Sequence, residues 1–139
     1  LYGGYDSLAV IHTDVGGGIN LDYSDGAVIE FCEIMQGRAN DIGAGIACFN
    51  SSATIKSCLL YGNRSVTGVG GAIYLLESEP EISNCTIEGN TSGISNFGGI
   101  YNDSALSEPT IINSILWNNG DELFQCVATY SCIEDNDWQ

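Results

Sequence analysis

The chain has 139 residues, 44% of them hydrophobic, with 18 Asp and Glu against only three Lys and Arg, for a formal net charge of −15. That length holds one domain, and the apolar share supports a packed core rather than disorder. The charge disfavours nucleic acid and anionic membrane surfaces as partners, because almost nothing could neutralise phosphates, and no apolar run is long enough for a membrane-inserted helix. Cations, or a salty or extracellular medium, fit the acidity, which also serves solubility.

Residues 1–15 carry a short apolar run, Leu8-Ala9-Val10-Ile11, expected to be the end of a preceding coil or a cap. No charged-then-apolar leader opens the chain. It starts at Leu1 rather than Met, so a processed product, an excised domain or a gene fragment is expected.

From Gly16 a phrase repeats: Gly16-Gly17-Gly18-Ile19-Asn20-Leu21, Gly43-Ala44-Gly45-Ile46-Ala47-Cys48, Gly70-Gly71-Ala72-Ile73-Tyr74-Leu75, then Gly98-Gly99-Ile100-Tyr101-Asn102. Ile19, Ile46, Ile73 and Ile100 recur every 27 residues. A fixed period of this size marks a repeat architecture. A second phrase follows each time, at Ile29–Ile34, Ile55–Leu60, Ile82–Ile87 and Ile111–Leu116, and then a Gly/Asn turn. Both phrases read as short strands by their period-two alternation, with Gly and Asn supplying the positive-φ corners between them. A unit of this length cannot bury its apolar face alone and must stack on its neighbours.

The expected fold is all-β, a parallel β-helix of about four to five coils in one domain over 1–139. It comprises an N-terminal coil or cap over 1–15, four repeats over 16–120, and a shortened last coil over 121–139. Its core ladders are Ile19, Ile46, Ile73 and Ile100, and Cys32, Cys58, Cys85 and Ser114. Cys32, Cys58 and Cys85 share one position in consecutive coils. They read as small buried hydrophobes rather than zinc ligands, which prefer a close Cys-x2-Cys spacing. Cys126 and Cys132 are the only close pair, and a disulfide tying the final coil is one reading of them.

Two surfaces are candidates for binding. Outward on the second phrase lie Glu33 and Met35, Leu59 and Tyr61, Thr86 and Glu88, Ile115 and Trp117. Met35, Leu59, Tyr61, Ile115 and Trp117 make this wall oddly apolar for a surface, suiting sugar rings, a subunit interface or a covering segment. On the glycine strand, Tyr74 and Tyr101, edged by Asp103 and Glu77, either stack on a sugar or simply on each other. Glu77-Ser78-Glu79-Pro80-Glu81 is the densest acidic stretch; it reads as a solvated loop, with calcium a lesser alternative. His12, the sole histidine, lies outside the repeats and has no triad pattern around it. Five Asn-x-Ser/Thr triplets, at Asn50, Asn63, Asn84, Asn90 and Asn102, are expected from Asn-rich turns rather than from glycosylation.

The glycine phrase, Pro80–Ile87, Pro109–Asn119 and Ala128–Glu134 together resemble right-handed parallel β-helix repeat proteins of the pectin-lyase-like superfamily, common in environmental bacteria. The resemblance spans roughly residues 16–134 and implies the right-handed sense, which no residue pattern here supplies. Enzymes of that superfamily use carboxylates, often with calcium, and an Arg or Lys base; the hydrolases use clustered aspartates. Here Arg38 and Arg64 stack in neighbouring coils as weak candidates for a base or substrate clamp, but no Asp-Asp pair exists, and glycoside hydrolysis needs two suitably spaced carboxylates. The leading expectation is a non-catalytic extracellular or surface module binding carbohydrate or a protein, with no resident cofactor. A structural segment that self-associates as a homo-oligomer is second, and a polysaccharide lyase or hydrolase third.

Overall fold

The computed structural model describes residues 13–94 and 96–134. The expected cap and His12 fall outside those residues. After β1 (Thr13–Val15) the first coil contains β2 (Ile19–Asp22), β3 (Val28–Glu30), β4 (Glu33–Met35) and β5 (Arg38–Ile42). The second contains β6 (Ile46–Phe49), β7 (Thr54–Lys56), β8 (Leu59–Tyr61) and β9 (Arg64–Ser65). The third has β10 (Ile73–Leu76), β11 (Glu81–Ser83) and β12 (Thr86–Glu88), and the fourth β13 (Ile100–Asn102), β14 (Thr110–Ile112) and β15 (Ile115–Trp117). Two-residue strands close the series: β16 (Leu123–Phe124), β17 (Ala128–Thr129) and β18 (Cys132–Ile133).

The strands described pair in parallel from coil to coil, with an isolated antiparallel bridge between Phe97 and Gly120. The first sheet orders β16-β13-β10-β6-β2, the second β17-β14-β11-β7-β3, the third β18-β15-β12-β8-β4, and a narrower fourth β1-β5-β9. The 27-residue period is the register itself: Ile19 pairs with Ile46, Ile46 with Ile73, and Ile73 with Ile100. Backbone bonds such as Ile19 N–H to Gly45 O (2.9 Å) and Ile46 N–H to Ala72 O (2.9 Å) join successive coils, about 4.8 Å apart. Inside, Ile46, Ile73 and Ile100 form one ladder, Ile55, Ile82 and Ile111 a second, and Ile34, Leu60, Ile87 and Leu116 a third, all buried. Each such side chain contributes about 1.5–3 kcal/mol on burial.

The second phrase is two strands, not one. A single left-handed residue separates β3 from β4 and its equivalents: Phe31, Ser57, Asn84, Asn113 and Tyr130, with φ of 50–53°. The other corners follow the same plan. Gly16, Gly43 and Gly70 precede the glycine strand; Tyr23, Asn50, Glu77 and Gln125 follow it; Gln36, Gly62, Gly89 and Asn118 follow the third-sheet strand. At Gly43 and Gly70 the close approach of the strand ahead leaves no room for a Cβ as well. Elsewhere side chains occupy a conformation that costs about 1–2 kcal/mol in an L-residue, with Asn the best tolerated.

The residue after such a corner points inward and ties two coils together. The hydroxyls of Ser51 and Ser78 accept the backbone N–H of Ser24 (2.9 Å) and Ser51 (3.0 Å). On the opposite side Asn63 Oδ1 accepts Gly37 N–H (2.8 Å), and Asn90 Oδ1 accepts both the N–H and the side-chain amide of Asn63 (2.9 Å each). Asn119 Oδ1 does the same for Asn90, at 2.9 and 2.8 Å. Glu122 ends this ladder: its carboxylate accepts the Asn119 N–H (3.0 Å) and side-chain amide while 4% exposed. Burial pushes the Glu122 carboxyl above its ordinary value, opposed by the two Asn119 bonds.

Asn90→Ala strands the Asn63 donors and the Leu60 carbonyl it now satisfies; a loss of about 3 kcal/mol or more is expected in urea denaturation. Phe31→Asn, at an exposed corner residue, is expected to raise stability by about 1 kcal/mol in the same measurement.

Candidate functional site

The inward cysteines hold corner positions. Cys32, Cys58 and Cys85 donate to the carbonyls of Glu30 (3.2 Å), Lys56 (3.2 Å) and Ser83 (3.3 Å), two residues back. Ser114 makes the same bond to Ile112 O (3.0 Å) and accepts Cys85 N–H (3.1 Å), so thiol and hydroxyl are interchangeable in this file. Cys48 lies elsewhere, between Leu21 and Leu75 in the first-sheet ladder. The Cys126–Cys132 disulfide, one reading of that close pair, is not formed. Cys126 follows the Gln125 corner and packs against the core, whereas Cys132 pairs with Ile115 in the third sheet and is exposed. Burial pushes the Cys48 and Cys126 thiols up to about 12 and the Cys85 thiol to about 11.

On the first sheet, Tyr74 is 5% exposed. Its ring stacks on Tyr101 (centroids 6.0 Å apart, 5° between planes), with Phe49 at 5.7 Å on its other side. Tyr101 stacks in turn on Phe124 (4.4 Å), and Phe97 packs against both. The Tyr74 hydroxyl donates to Asp103 Oδ2 (2.7 Å), and burial together with that carboxylate drives its ionisation upward. The sequence left two readings of this file; the rings contact each other, and Tyr74 has no open face for a sugar.

Arg38 and Arg64 are direct partners in the fourth sheet. With Gln36, Gly37 and Gly62 they line a cleft of about 330 Å³ that contains no carboxylate. Arg38 Nε is buried without a hydrogen-bond partner. Lys56 pairs instead with Glu30 one coil away, at 2.9 Å. Among the described residues no three His, Cys, Asp or Glu side chains converge as a metal site. Glu77, Glu79 and Glu81 are all exposed. Of the glycosylation triplets, Asn63, Asn90 and Asn102 are fully buried and hydrogen-bonded, which removes them as acceptors. A wider cleft, about 710 Å³, lies where Glu108, Pro109 and Thr110 face Gln125, Cys126 and Thr129. Nothing in the sequence marked it, because it forms where the shortened last coil stacks on the long loop before β14.

The third sheet differs from the others in what it leaves open. Its outward residues form two files. The first is Glu33, Leu59, Thr86, Ile115 and Cys132. The second is Met35, Tyr61, Glu88 and Trp117. Glu134 continues that second file, since its N–H bonds Leu116 O (2.9 Å) and its carboxylate accepts Asn118 N–H (2.6 Å). Tyr61, Ile115 and Trp117 are 46–47% exposed, while Met35 and Leu59 are partly buried. A parallel sheet normally has such residues covered. The Tyr61 ring leans along the helix axis over Gly89, where even a Cβ would approach it to 3.3 Å. The result is a regular wall with a mixed file, apolar at Leu59 and Ile115, beside a file in which aromatic and acidic side chains alternate from Tyr61 onward.

Residues 9–137 match the family described as "Right handed beta helix region". No curated protein and no solved structure matches the chain.

Reactivity follows the placement of the thiols. In the folded protein Cys132 is expected to alkylate first at neutral pH, with Cys48 and Cys85 modified only on unfolding. Peptide mass spectrometry after timed iodoacetamide quenching checks the order.

Proposed function

The chain belongs to the right-handed β-helix family, and on that premise we propose that it is a non-catalytic module that binds carbohydrate along the outer face of the third sheet. The observation that carries this reading is the near-half exposure of Tyr61, Ile115 and Trp117 on one regular wall. Aromatic rings held flat on a rigid support stack on the CH faces of sugar rings without ordering a loop first, which lowers the entropic cost of binding. The sheet supplies that rigidity, since β8, β12 and β15 are each hydrogen-bonded on both sides. The polysaccharide ligand puts the module outside the cell or at its surface.

The arginine cleft supports the lyase alternative less well. A lyase or hydrolase needs a base or acid beside carboxylates or a bound cation, and the residues lining the Arg38/Arg64 cleft include neither Asp nor Glu. A protein interface is the second reading of the same wall, favoured by Leu59 and Ile115 flanking Thr86 in the file beside Tyr61 and Trp117.

A glycan array, run with and without calcium, tests the reading. Binding to one polysaccharide class is expected, with Trp117→Ala or Tyr61→Ala weakening it about tenfold, as each loses a stacking contact of about 1 kcal/mol or more. Silence across the array, together with a dimer in sedimentation velocity that Trp117→Ala dissolves, would instead assign the wall to self-association.

A further inference from the structure

Resting on the carbohydrate reading, we infer that the ligand is a cationic β-1,4-linked amino sugar chain lying along the helix axis on the third sheet. Three observations carry this. First, the second outward file alternates by rung: Tyr61 on β8, Glu88 on β12, Trp117 on β15, and Glu134 beyond β18. Second, none of the chain's three cationic residues shares that face. Lys56 is on β7 of the second sheet, and Arg38 and Arg64 are on the fourth. Third, the chain as a whole carries −15, so an anionic glycan would be repelled at this surface.

The spacing selects the geometry of the ligand. Rungs lie about 4.8 Å apart, so Tyr61 and Trp117 sit about 9.6 Å apart along the axis. An extended β-1,4-linked chain advances by one sugar in nearly one rung, and its two-fold twist returns the same ring edge at every second sugar. Sugars over rungs two and four meet the Tyr61 and Trp117 rings. The sugar between them presents its C2 substituent beside Glu88, and the next one lies beside Glu134. A protonated amine there makes a charge-assisted hydrogen bond to a carboxylate. A hydroxyl or N-acetyl N–H donates to the same carboxylate but brings no charge of its own, so it lacks the ion-pair attraction that the ammonium adds.

Titration calorimetry compares the β-1,4-linked glucosamine hexamer, its fully N-acetylated counterpart, cellohexaose and hexalysine. The titrations are run at about pH 5.5, where the sugar amines are protonated. The glucosamine hexamer is expected to bind at least tenfold tighter than either neutral hexamer. Glu88→Gln should remove most of that preference. Trp117→Ala and, independently, Tyr61→Ala should weaken the hexamer about tenfold while leaving hexalysine unchanged, circular dichroism confirming the fold of each variant. Equal binding of cellohexaose, indifferent to Glu88→Gln, overturns the amino-sugar inference but keeps the carbohydrate reading. Hexalysine binding as tightly as the hexamer, or insensitivity to both aromatic variants, reduces the effect to general charge attraction and overturns it. No binding by any glycan defeats both.

Discussion

Every coil depends on one requirement: the backbone N–H that follows a left-handed corner must find an acceptor in the next coil. At a corner the strand ladder is interrupted, and a buried, unpaired N–H costs about 1–3 kcal/mol. The chain answers with an inward side-chain oxygen one coil further on. Ser51 and Ser78 do this on one edge, Ser114 and Ser131 on another, and Asn63, Asn90 and Asn119 on a third. Coil spacing, register and the inward direction of the apolar ladders follow from these fixed points. The outward files of the third sheet inherit their alignment from the same source, which is why Tyr61, Glu88 and Trp117 fall into a line.

Much of this was legible in the sequence, and the reasons are specific. The isoleucine period is the strand register because parallel coils of constant length align like with like. The outward set on the third sheet followed from alternation alone. The split of the second phrase was hidden because its corner carries Phe31 and Ser57, which give no left-handed signal, in place of the Asn84 and Asn113 found later. Ser24, Ser51 and Ser78 recur at the same 27-residue period. That recurrence is a readable sign of the hydrogen-bonding edge, though less conspicuous than the glycines.

The cysteines show where one-dimensional reading fails. A short separation along the chain suggested a bond between Cys126 and Cys132. Three-dimensionally the Tyr130 corner lies between them and turns the first inward and the second outward. Conversely, Cys32, Cys58 and Cys85 are far apart in sequence and adjacent in space, where they serve as weak donors to carbonyls rather than as apolar filler alone. The aromatic file shows the same limit. Tyr74 and Tyr101 were visible as a pair, but the closing partners Phe97 and Phe124 come from a loop and from the shortened coil, outside the repeat that located the tyrosines.

The asparagine edge has a direction. Each side-chain amide donates toward the next, from Asn63 through Asn90 to Asn119, so their dipoles add head to tail over three coils. The positive end of that line rests on the Glu122 carboxylate. In electrical terms the edge resembles the start of an α-helix, where aligned peptide dipoles favour a negative charge. The last coil thus meets a buried carboxyl with an array of oriented amides in place of a cation, and that array opposes the upward push of burial.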